Sequence, residues 1–216
     1  MRILVHSANL GGFEKVVEDV PQNLPHGFSM ETYRFTDDNF PPRKNSMTPR
    51  LQARIPKMFG WQFFPLYDYY LWIDSSCRLS NPDSVEWFLN KLSDHDIAVF
   101  KHPDRDVIQQ EADYLKERLE LEAKGKKKKY ILPRYEGEDI DGQLEAVFVS
   151  QPLYASTAFI YRNTPEVQQA LKEWWYQTSR FHSIDQLSMT YALRVLNVKV
   201  IHENYLKCDY IEAVRK

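Results

Sequence analysis

The stretch that most limits what this chain can become is Tyr69-Tyr70-Leu71-Trp72-Ile73, which is continuously apolar and aromatic and then turns abruptly polar at Asp74-Ser75-Ser76. Such a run reads as a central strand covered on both faces. A strand covered on both faces needs helices above and below it. The pattern around it supplies them. Short apolar strands are expected near residues 2–6 (ended by Gly11-Gly12), 31–35, 97–100, 144–149 and 156–161, and from Val198 to about His202. Helical patterns fall between them. One covers residues 50–60, with Pro56 set to bend or end it, and one starts at Asn81-Pro82-Asp83. A third carries Ile108, Ala112, Leu115 and Leu119 on one stripe, a fourth starts at Thr164-Pro165-Glu166, and a fifth runs from Ser183 to Leu196. Strands alternating with helices imply an α/β fold with a mostly parallel sheet flanked by helices.

The chain has 216 residues, enough for one domain with a sizeable core, and it shows no internal repeat and no clear linker. The expected arrangement is a single domain over 1–216, with a flexible insertion at 124–142. There Lys124-Gly125-Lys126-Lys127-Lys128-Lys129 is basic and Glu136-Gly137-Glu138-Asp139-Ile140-Asp141 is acidic. A net charge of −2 argues against a general polyanion binder. No apolar run approaches the ~20 residues that span a bilayer, and the first residues lack a secretory signal pattern. Cys77 and Cys208 make neither a disulfide framework nor a metal pattern, so a cytoplasmic location is expected.

In open α/β sheets, ligands bind beyond the carboxyl ends of the strands. Three polar clusters follow apolar strands directly: Asp74-Ser75-Ser76, Lys101-His102-Pro103-Asp104-Arg105 and His202-Glu203-Asn204. A carboxylate closing so apolar a strand needs a partner, and a divalent ion holding a diphosphate is one; Asp-Ser-Ser is also ordinary turn chemistry. Arg50, Arg54 and Lys57 stand at helical spacing, which suits a phosphate-bearing ligand and equally a solvated basic face. His182-Ser183-Ile184-Asp185-Gln186 reads as a helix entrance with a capping box, and a functional Asp185 would need a further neighbour or ligand. His102 and Arg105 suit substrate contact or a turn. There is no Gly-rich phosphate loop, no Gly-x-Ser-x-Gly elbow and no His-Glu-x-x-His zinc motif.

In order along the chain stand Ile3-Leu4-Val5 with Gly11-Gly12-Phe13, Arg34-Phe35-Thr36-Asp37, Arg54-Ile55-Pro56-Lys57, and Phe64-Pro65-Leu66-Tyr67-Asp68 running into Tyr69 to Asp74. His102-Pro103-Asp104-Arg105 with Glu111-Ala112, Trp174-Trp175 and Asp185-Gln186-Leu187-Ser188 follow. From the first strand to about residue 195 the chain resembles the glycosyltransferase-like family of plant mucilage- and pectin-related proteins and their bacterial and viral homologues. One plant member of that family has been described as an alkaline ceramidase.

The resemblance implies a GT-A-like, Rossmann-related domain that binds a nucleotide-diphosphate sugar and moves the sugar to a hydroxyl acceptor, whether a glycan, a small molecule or modified DNA. It implies Asp74 as the first acid of an Asp-x-Asp motif for a divalent cation (Mn or Mg), with Ser76 in place of the second acid and His202 completing the metal site. Arg50, Arg54 and Lys57 are implied at the donor phosphates. His102 and Arg105 are implied at the cleft edge, and Asp185-Gln186 near donor sugar and acceptor, with Asp185 orienting or deprotonating the acceptor hydroxyl. Two departures stand out: Ser76, and Met58-Phe59-Gly60-Trp61 where the family often has Pro-His. The missing second acid also admits a non-catalytic module that binds a nucleotide sugar or glycan. The lysine run admits a transferase acting on modified bases of viral DNA. An amidase finds no nucleophile or zinc pattern. Donor base and sugar, acceptor, anomeric outcome and oligomeric state stay open.

Overall fold

The computed structural model describes residues 1–12, 14–43, 46–124, 137–147, 152–181 and 184–214. Six strands form the main sheet: β1 (Arg2–Asn9), β2 (Ser29–Thr36), β3 (Tyr69–Ile73), β5 (Ile97–Lys101), β6 (Tyr154–Arg162) and β7 (Val198–Ile201). Their order is β2-β1-β3-β6-β5-β7. β1 is parallel to β2 and β3, and β5 is parallel to β7, while β6 runs antiparallel to both β3 and β5. Five strands therefore point one way and only β6 is reversed, which is the mostly parallel α/β sheet expected.

The helices are α1 (Pro49–Phe63), α2 (Ser84–Leu92), α3 (Ile108–Ala123), α4 (Gly137–Val147), α5 (Pro165–Phe181) and α6 (Gln186–Leu193). Every residue of β3 is buried, and successive side chains feed opposite layers. Tyr70 and Trp72 join Leu4, Val99, Phe159, Leu171 and Trp174 in one core. Leu71 and Ile73 join Ile3, Val5, Phe88, Ala98 and Phe100 in the other. A smaller core of Ile108, Ala112, Leu115, Ile140, Leu144 and Leu187 joins α3, α4 and α6.

α1 is the helix that matters most for the site. The Thr48 hydroxyl caps it by accepting from the Leu51 amide at 3.1 Å. It runs through Pro56 and kinks at Phe59 (φ −122°, ψ 21°) instead of stopping. Beyond the kink Gly60 lies against the β1 imidazole of His6. A Cβ there would come within 2.5 Å of His6 Nε2, so only glycine lets helix and strand approach this closely.

Three expectations change. Leu144 to Val147 belongs to α4, not to a strand, and residues 148 and 149 lie outside the described residues. The expected flexible insertion is described only at its ends: Lys124 is exposed, 125–136 lie outside the described residues, and from Gly137 on the chain is helix with Ile140 and Gln143 buried. The lysine run beyond Lys124 thus falls outside what is described. α2 begins at Ser84, because Asn81-Pro82-Asp83 forms a turn in which the Asn81 side chain accepts from the Asp83 amide at 3.0 Å. The sequence pattern also misses β4 (Cys77–Leu79) and β8 (Ile211–Ala213), a short antiparallel pair carrying the chain away from Asp74.

Candidate active site

Asp74 follows directly on β3, so the strand alternation puts it on the same face as Trp72. The Trp72 indole N–H donates to Asp74 Oδ1 at 2.8 Å. Its backbone makes the turn that Asp-Ser-Ser suggests: the Asp74 amide donates to Thr157 O at 2.8 Å and the Cys77 amide to Asp74 O at 2.8 Å. The turn reading of the motif is realised by the main chain, which leaves the carboxylate for other groups.

Those groups come from α1. Arg50, Arg54 and Lys57 lie on one helical face, and that face is turned inward. The Lys57 ammonium is 3.2 Å from Asp74 Oδ1 and 2.7 Å from Asp185 Oδ2. Arg54 is 3.2 Å from Asp185 Oδ1 and 4.0 Å from Asp74 Oδ1. The Lys57 side chain is 0% exposed, Asp185 2%, Arg54 11% and Asp74 27%, so Asp74 is the member that opens to the surface. Trp72 and Trp174 wall the ammonium, with ring centroids 5.5 and 5.8 Å from Nζ. The Trp174 indole also donates to the Asp185 carbonyl at 2.8 Å, holding the start of α6 in place.

Burial pushes the Asp185 carboxyl up, but Arg54 and Lys57 outweigh it and hold the group down at about 2. Burial pulls the Lys57 ammonium below its ordinary value, while Asp185 and Asp74 pull it back. With a carboxylate on either side, the charged form has the partners a buried cation requires. Asp185 occupies the N-cap of α6 without a side-chain capping bond, because its carboxylate is committed to α1. The expected partner in a capping box, Ser183, lies outside the described residues, as does His182. As an acceptor of a substrate proton Asp185 is poorly suited, being shielded from solvent and held at about 2. Gln186, the first residue of α6, is half-buried beside it.

A second group stands beyond β5. The backbone amides of Asp104 and Arg105 donate to His102 Nδ1 at 3.2 and 3.1 Å. Arg105 meets His102 Nε2 at 3.1 Å and pairs with the Glu111 carboxylate of α3. Burial, and then the Arg105 charge, lowers His102 to about 4, so the ring is neutral near pH 7 and serves as an acceptor shaping the loop. Burial raises Glu111, with Arg105 opposing. Arg50 acts electrostatically on both Glu111 and Asp185, which links the two groups along the sheet edge. Glu111, Trp72 and Trp174 are the site members that the sequence reading did not assign to the site.

The expected metal pair is not assembled. His202 is exposed at the end of β7, three strands from β3, so the strand ends are roughly 14 Å apart at ordinary sheet spacing. Ser76, at the turn, supplies its carbonyl to the Val214 amide at 2.7 Å. Among the described residues no three His, Cys, Asp or Glu side chains gather closely enough to hold an ion. Among the described residues the groups that meet the Asp74 carboxylate directly are two cations and an indole N–H, a donor set that does not fit a divalent metal.

A model of the TOD1/MUCI70 glycosyltransferase-like domain matches residues 44–216. The chain belongs to that family. The match opens just before α1 and runs beyond residue 195, so every member of the charge cluster lies within it, while β1 and β2 precede it. No curated protein matches the chain significantly. The α/β sheet and the position of the cluster at its carboxyl edge agree with the family's expected Rossmann-related architecture. Among the described residues no helix is long and apolar enough to cross a membrane.

Proposed function

We propose that this glycosyltransferase-like chain moves a sugar from a nucleotide-diphosphate donor to a hydroxyl acceptor at the carboxyl edge of the sheet. The observation that carries this is the charge cluster itself: two cations and two carboxylates packed together, Lys57 and Asp185 fully buried and Asp74 the most open to the surface. A fold has little reason to bury four charges for stability alone, since a well-packed apolar set of the same volume does as well or better. Placement where open α/β sheets bind ligands gives the cluster a use.

In this reading Asp74 accepts hydrogen bonds from ligand hydroxyls, and Lys57, with the Trp72 N–H, fixes its carboxylate in one orientation. Arg54 and Arg105, both partly exposed, face the phosphates. As the glycosidic C–O bond breaks, charge builds on the departing diphosphate, and fixed guanidinium groups stabilise it without reorganising. Asp185 keeps Arg54 and Lys57 in register, a positioning role in place of the base role expected from the sequence.

The test is calorimetric titration with uridine, guanosine and cytidine diphosphate sugars, with manganese present and absent, on the wild type and on Asp74→Asn, followed by a transfer assay on any donor bound. The reading expects at least one donor to bind and Asp74→Asn to weaken it by more than about tenfold. Unchanged affinity in the variant would remove the site. Binding without transfer to any hydroxyl acceptor or to water would favour the non-catalytic module.

A further inference from the structure

We infer that the donor's diphosphate binds this chain without a divalent cation, the ammonium of Lys57 filling the place beside Asp74 that such an ion would take. This rests on the transferase reading and narrows it. Asp74 Oδ1 has the Trp72 indole N–H at 2.8 Å, the Lys57 ammonium at 3.2 Å and an Arg54 nitrogen at 4.0 Å. An ion bound to that oxygen would displace the ammonium or sit beside it.

Neither is open to this site. The Lys57 side chain is 0% exposed, so a displaced ammonium has no water to move into. It also bridges to Asp185 at 2.7 Å, and withdrawing it would remove one of the cations that hold that buried carboxylate. Breaking one side of a buried ion pair is the costly case, because the charge left behind loses a partner and gains no water in its place. An ion sitting alongside would face two fixed positive charges at short range in a medium that screens them poorly.

Among the described residues no three His, Cys, Asp or Glu side chains gather at Asp74 to complete a site for such an ion. Position 76 is Ser, which offers no carboxylate, and His202 stands exposed three strands away. The guanidinium groups of Arg54 and Arg105 have the planar forked geometry that matches phosphate oxygens in pairs. The chain thus carries its own cations at the position where charge must be balanced. Lys57 does so indirectly: it neutralises the Asp74 carboxylate, which would otherwise repel an arriving diphosphate.

The experiment titrates the full chain with uridine, guanosine and cytidine diphosphates in EDTA and again in millimolar manganese, and titrates the unliganded chain with manganese alone, read by electron paramagnetic resonance. The expected result is one nucleoside diphosphate whose affinity differs by less than about twofold between the two conditions, with no stoichiometric manganese bound to the unliganded chain. In Lys57→Met, affinity in EDTA should fall by more than about tenfold and manganese should recover part of it. Binding that appears only with manganese, or tightens more than about tenfold with it, overturns the inference and leaves the transferase reading standing. Stoichiometric manganese on the wild type that is lost in Asp74→Asn does the same. No binding of any diphosphate in either condition overturns both. If Lys57→Met fails to fold, the wild-type comparison decides alone.

Discussion

At the amino edge of the sheet Arg162 donates to the carbonyls of His95 and Ser93 and to the Tyr69 hydroxyl, whereas at the carboxyl edge Arg54 and Lys57 turn to two carboxylates. The amino edge holds a hollow of about 500 Å³ bounded by Leu66, Tyr67, Asp68, Arg162 and Asn163. Its polar groups, however, are used to stitch loops together. Asp68 exchanges hydrogen bonds with the Arg2 backbone, and the Asn163 amide donates to the Tyr67 carbonyl. Most of these bonds hold main chain. At the carboxyl edge the charged side chains hold one another, out of water, and stitch little. Burial of that kind is what ligand chemistry demands and what folding alone does not, so the edge at Asp74 is the better candidate than the hollow beside Arg162.

The comparison breaks first at Lys57. Lys57→Met takes from buried Asp185 its nearest cation and should lower unfolding free energy by about 3–5 kcal/mol in urea titration. Arg162→Met leaves carbonyls that water can reach and should lose only about 1–2 kcal/mol. Equal losses at the two edges would mean that the carboxyl-edge cluster is structural stitching as well.

Acid should sharpen the same contrast. His6, fully buried beneath α1, is pushed down from 6.5 to about 4 by burial. The folded chain therefore refuses a proton that the unfolded chain accepts. Stability is complete above about pH 6.5 and is lost as the pH falls toward 4, by about 3 kcal/mol from this ring. Asp185 acts lower on the scale. Its folded value near 2 lies below the unfolded 3.8, so its contribution, about 2 kcal/mol, holds above pH 4 and fades as the pH drops toward 2. Urea midpoints across pH 7 to 4 on the wild type and on His6→Gln should show a large part of the slope disappearing in the variant, with the similarly lowered His102 carrying the rest. An unchanged slope would place the proton uptake elsewhere, with His102 the next group to replace.

Much of this edge was legible before any coordinates, and the limits have physical causes. The strand alternation that puts Asp74 under Trp72, and the helical spacing that puts Arg54 with Lys57, are local geometry. Pairing Lys57 with Asp185 is not, because it joins α1 to the start of α6, far along the chain. Glu111 left a readable sign: it falls on the stripe of Ile108, Ala112 and Leu115, where a charged residue must find a buried partner, and Arg105 is that partner. Leu144 to Val147 deceived because a short apolar run fits a strand and a helix equally. β4 and β8 are three residues each and pair only through a long-range turn back, so neither carries a period of its own.

The smallest expected effect lies in the surface pairs of the amino side. Arg2 and Glu31 meet at 3.1 Å, but their side chains are 45% and 64% exposed. Water screens the attraction, and ordering two long side chains offsets what remains, so such a pair contributes little. Glu31→Gln should therefore shift the urea midpoint barely beyond error and should leave nucleotide-sugar affinity untouched, while Asp74→Asn weakens that affinity strongly. A fall in affinity with Glu31→Gln comparable to that with Asp74→Asn would tie ligand binding to the amino side of the sheet, and the hollow beside Arg162 would then become the site to pursue.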